Sequence, residues 1–79
     1  MKSHINDYKH VTLLTNLPVN TGHYGVVINR SKTSSVVKAV SEGGEAFEWT
    51  LEPGELLPVK VRRVISATPG ENVFMLWNT

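Results

Sequence analysis

The stretch VVKAVSEGGEAFEWTL, residues 36–51, constrains this chain more than any other. Apolar residues recur on either side of Gly43-Gly44 with a period of two, which marks β-strands rather than a helix. Paired glycines between two such runs suit the positive φ angles of a type I′ turn, whose twist matches the strands it joins. A two-residue turn sets Glu42 opposite Glu45, Val40 opposite Phe47, Lys38 opposite Trp49 and Val36 opposite Leu51. The expected core face is then Val36, Val40, Phe47, Trp49 and Leu51, with Val37, Ala39, Ser41, Ala46, Glu48 and Thr50 on the other side. The stem of Lys38 is expected to lie along the Trp49 ring.

The same period governs the rest of the chain. VTLLTN (11–16) and YGVVINR (24–30) read as short strands, with Gly25 marking a close backbone approach. EPGE (52–55) is a turn that places Pro53 second and Gly54 third. Val59 and Val61 then alternate with Lys60 and Arg62, but Arg63 falls on the apolar phase and Val64-Ile65 restart out of step. A β-bulge at Arg62-Arg63 repairs this by inserting one residue and restoring the inward phase at Val64. PGEN (69–72) is a further turn, and NVFMLW the last strand. A hairpin across that turn sets Ile65 near Leu76 and Val64 near Trp77. The expected fold is all-β, a small antiparallel β-sandwich or barrel of about six short strands with an extended N-terminal arm. Residues 1–10 are the arm and 11–79 a single β-domain.

At 79 residues with 41% hydrophobic and 19% charged positions, the chain has a globular composition and a core of marginal size. It has no cysteine, so no disulfide framework, thiolate metal site or cysteine nucleophile can form. The usual remaining staple is oligomerisation, or docking on a larger body. The net charge of +1 is far from that of a dedicated nucleic-acid binder. No apolar run is long enough to span a bilayer, and MKSHINDYKH lacks the apolar centre of a signal peptide, so the chain reads as soluble and made in a cytosol. His4, His10 and His23 fall into no metal-ligand spacing. Six glutamates, Glu42, Glu45, Glu48, Glu52, Glu55 and Glu71, sit at or beside turns, where they serve solubility and edge protection. Ser31, Ser34 and Ser35 lack a nucleophile elbow. The expectation is no enzyme, no cofactor, no metal and no small-molecule substrate.

A single-stranded nucleic-acid-binding β-barrel is the alternative, resting on Lys60, Arg62 and Arg63, on Arg30 and Lys32 nearby, and on Trp49 and Trp77 as stacking platforms. Both tryptophans, however, fall on apolar phases, and seven acids balance the basic residues. A host-directed inhibitor or adaptor with an exposed strand is a third reading.

The C-terminal stretch LEPGELLPVKVRRVISATPGENVFMLWNT carries a resemblance. A glycine turn, a Leu-Pro-x-x-V-x-R-V strand, a further turn and an apolar strand closing in Leu-Trp are formed by Gly54, Leu57, Pro58, Val61, Arg63, Val64, Thr68, Gly70, Val73, Leu76 and Trp77. This pattern resembles small β-rich virion proteins of tailed bacteriophages and gene transfer agents, of the spike-base and head-decoration type. PGEN departs from the Thr/Ala/Gly-rich segment usual in the final turn, and the arm has no counterpart in the pattern. The resemblance implies a structural subunit that multimerises and docks on a major capsid protein or another virion protein, located in the virion and made in a bacterial host cytoplasm. The interface it implies runs through the arm and strand edges, with Tyr8, His10, Lys60, Arg62, Arg63 and Trp77 as candidates.

Overall fold

The computed structural model describes residues 8–15 and 20–78. The chain is all-β, with strands β1 (His10–Leu13), β2 (Gly25–Asn29), β3 (Ser35–Ser41), β4 (Ala46–Leu51), β5 (Val61–Thr68) and β6 (Val73–Trp77). They form one antiparallel sheet in the order β1-β6-β2-β5-β3-β4. The expected arm reaches into this sheet, since His10 already belongs to β1 and pairs with Trp77. The rest of the arm, residues 1–7, lies outside the described residues.

The sheet bends at the seam between β2 and β5, where the only paired residues are Gly25 and Val61. On one side lies β1-β6-β2, on the other β5-β3-β4, and the core fills the space between. Leu14, Val27, Val73 and Met75 come from the first half; Val37, Ala39, Leu51, Val61, Val64 and Ala67 from the second. Gly25 makes the bend possible. A β-carbon there would run into the carbonyl oxygen of Leu76 and lie 2.9 Å from the Trp77 β-carbon, so only glycine fits between β6 and β5. Beyond the seam β2 is bordered by the 54–57 segment. Gly54 and Leu57 donate to the carbonyls of Asn29 and Val27, at 2.7 Å each.

The doubled arginine is a bulge, as the phase slip predicts. Val40 pairs with Arg63 and Ser41 with Val61, so Arg62 is the extra residue, and Val64 returns to the core. A second bulge follows that the alternation did not announce: Lys38 pairs with Ser66 and Ala39 with Val64, leaving Ile65 unpaired and exposed. Two bulges in one strand bend it strongly, which lets β5 carry the sheet round the core.

Two expected registers are wrong. The β3–β4 loop has three residues, not two: Ser41 and Glu45 still exchange a backbone bond (2.8 Å), Gly44 donates to the Ser41 carbonyl (2.9 Å), and Gly44 alone has positive φ, at 90°. This is a turn followed by a left-handed residue rather than a type I′ pair. The extra residue shifts the pairing so that Val37 faces Trp49, Ala39 faces Phe47 and Lys38 faces Glu48. On β4 Leu51 is buried and Phe47 packs against the core, but Trp49 is exposed; on β3 Val37 and Ala39 are core and Val36 is exposed, while Val40 is buried as expected. Lys38 accordingly lies 3.7 Å from Glu48, not over Trp49. The second error is at PGEN. β5 and β6 do not pair; the turn carries the chain from one half of the sheet to the other, and β6 inserts between β1 and β2.

EPGE is a turn as expected, closed by Glu55 N–H to the Glu52 carbonyl (3.0 Å), with Gly54 at φ 80°. Beside it the buried Asn29 ties three segments together. Its Nδ2 donates to the carbonyls of Thr33 and Leu51, both at 2.9 Å, and its Oδ1 accepts from the Ser31 N–H (2.9 Å) and hydroxyl (2.6 Å). A fully paired buried amide of this kind fixes the 30–34 loop against the end of β4.

Candidate functional site

The six candidate interface residues do not form one surface. Trp77, at the end of β6, packs against the core and is held from three directions. Its indole N–H donates to the Thr12 hydroxyl at 2.8 Å, His10 stacks on it with ring centroids 4.4 Å apart, and His23 lies nearly parallel at 5.7 Å. His10 comes from β1 and His23 from the turn before β2, so the stack closes one end of the β1-β6-β2 half. It is a packing feature, and Trp77 is not an open platform.

Arg62 and Arg63 line an open groove of about 510 Å³ that adjoins this stack through His23, together with Asn20, Tyr24 and the hairpin residues Val40, Gly44 and Ala46. The bulge explains why consecutive residues share it, since a regular strand would turn them to opposite faces. The pair is expected to engage a glutamate or a backbone carbonyl of its own chain or of a neighbouring subunit, and within the chain no such partner is present among the described residues. Among the described residues, neither guanidinium makes an ion pair or a hydrogen bond. Lys60 lines another hollow, with Tyr8, Val26 and Leu56 to Val59. Arg30 and Lys32 border a third hollow beside Pro69 and Glu71. The basic residues therefore border three different hollows and are not gathered in one groove. Trp49, at the core side of the edge strand β4, is 37% exposed and lies outside the arginine groove.

The feature that sequence reading missed is the outer face of β1-β6-β2. The register places Val11, Leu76 and Val26 in one cross-strand row, and Leu13, Phe74 and Ile28 in the next. The second row continues into Leu56, which bridges to Ile28. All of these outward positions are apolar. Ile28 and Leu76 in the middle are nearly buried, whereas Val11 and Leu13 on the edge strand β1 are 64% and 43% exposed. Val11, Ile28, Phe74, Leu76 and Arg30 surround a hollow of about 210 Å³. The opposite half behaves differently: its outward rows set Thr50, Val36 and Thr68 together, then Glu48, Lys38 and Ser66, then Ala46, Val40 and Arg63. An antiparallel sheet needs only one apolar face to form a core, so a second one on the same strands calls for a cover. The unbroken apolar runs GVVI and VFMLW carry this signal in the sequence.

Among the described residues no group of three or more His, Cys, Asp or Glu comes together, and no helix is long and apolar enough to cross a membrane. Comparison with protein-family models, with curated proteins and with solved structures returned no match.

Proposed function

We propose that this chain is a virion structural subunit, a small homo-oligomeric β-protein of the head-decoration or spike-base type. It docks on the shell through the outer face of β1-β6-β2. The observation that carries this reading is the pair of apolar cross-strand rows, Val11-Leu76-Val26 and Leu13-Phe74-Ile28. They lie beside β1, which is an edge strand among the described residues, so a partner can bury side chains and add backbone bonds at one place. The C-terminal resemblance supplies the kind of partner, a capsid or spike protein.

The competing reading, a single-strand nucleic-acid binder, is weaker because the required parts are dispersed. Arg62 and Arg63, Lys60, and Arg30 with Lys32 border different hollows, and Trp77 is stacked between histidines. Single-strand binders track the backbone with a continuous basic groove.

The test is made on particles purified from the cells that produce the protein. Mass spectrometry is expected to find the chain in them, and the V11K/L13K double variant is expected to fold but to be missing. Absence of the wild-type chain from particles, or undiminished incorporation of the variant, overturns the proposal.

A further inference from the structure

The arginine groove and the hairpin tip lie side by side at one end of the molecule. Gly44 and Ala46 of the β3–β4 hairpin line the groove, and the tip itself carries the exposed Glu42 and Glu45. The two are held in fixed relation, because Glu42 N–H donates to the Lys60 carbonyl (3.0 Å) at the start of the strand that carries the arginines. Two guanidiniums and two carboxylates thus share one end, yet among the described residues no ion pair joins them. Opposite charges that are adjacent but not paired within a subunit are self-complementary across a two-fold axis. Rotation brings the basic groove of each copy onto the acidic tip of the other.

We infer that the Arg62–Arg63 groove receives the Glu42–Glu45 hairpin tip of a second copy, and that two such contacts related by a two-fold axis form a dimer. The guanidinium fork matches a carboxylate in geometry as well as charge, while Tyr24, His23 and Asn20 provide polar and flat surface beside it. A polyanion is a poorer occupant, since Glu42 and Glu45 would repel its phosphates as it entered. The inference rests on the homo-oligomer of the proposal above. It concerns a surface other than the apolar face, so each can fail alone.

Charge swapping tests it. Sedimentation equilibrium of the full chain is expected to give a dimer whose dissociation constant weakens about tenfold or more between about 0.05 M and 0.5 M salt. The R62E/R63E variant and the E42R/E45R variant are each expected to be monomeric, with circular dichroism like that of the wild type. Mixed in equal amounts they are expected to form a heterodimer, because each groove then meets a tip of opposite sign. The milder R62Q/R63Q variant, which keeps the strand intact, is expected to weaken the dimer at least tenfold. A monomeric wild type at low salt, dimers of undiminished strength in the charge-reversed variants, or no heterodimer on mixing would each overturn the inference. So would an oligothymidylate that binds the groove while the protein stays monomeric. Retention of V11K/L13K as a dimer lost from particles would separate the two surfaces.

Discussion

At the scale of single residues, two positions bear more of the structure than their chemistry suggests. Asn29 has both amide protons and its carbonyl oxygen engaged, linking β2 to the 30–34 loop and to the end of β4. Asn29→Ala leaves the Leu51 and Thr33 carbonyls without that donor and is expected to cost about 3 kcal/mol. Urea unfolding measures this; a loss below about 1 kcal/mol would show that water replaces the amide. Gly25 is the other. A glycine inside a strand marks a close backbone approach, and the Leu76 carbonyl is what Gly25 approaches. Gly25→Ala forces β2 from β6 at the bend and is expected to cost more than about 2 kcal/mol, with the loss of the Trp77 near-ultraviolet signal as a second readout.

At the scale of elements, the β3–β4 hairpin shows how a turn governs a whole face. The paired glycines located the turn, but its length was decided by the conformation of one residue. Only Gly44 is left-handed, and the three-residue loop that results inverts β3 relative to a two-residue turn. The two glycines should therefore respond unequally. Gly44→Ala is expected to cost about 1–2 kcal/mol through its positive φ, whereas Gly43→Ala should change thermal stability little. Equal losses at both would instead indicate the type I′ loop. The Lys38–Glu48 pair that this register creates is exposed at both ends, and its removal is expected to cost less than about 0.5 kcal/mol in the same melts. In β5 the doubled arginine was legible because a charge fell on an apolar phase. The bulge at Ile65 was not, because an apolar residue there leaves no visible slip.

At the scale of the whole molecule, a small core lies between two halves of one bent sheet, and one half is apolar on both sides. A chain of this size with no cysteine has little stability in reserve, so contacts between copies should register as stability. The melting temperature is expected to rise with protein concentration, and about 0.5 M salt should flatten that dependence if the charged end joins the copies. Differential scanning calorimetry over a hundredfold range of about 5 to 500 μM checks this; a melting temperature independent of concentration would place the stability within the single chain.

That the chain is all-β, where most strands and turns fall, and that β5 is broken at its arginines can all be read from the residues in order. Those properties follow from local alternation and from the backbone preferences of glycine and proline. Which strands are neighbours, which face of β3 is core, and the place of β6 between β1 and β2 emerge only in the folded chain. Strand order depends on packing between segments far apart in the chain, and no local pattern encodes it. The runs GVVI and VFMLW mark strands apolar on both faces, but Val11, Leu76 and Val26 become one surface only when three distant strands are set side by side.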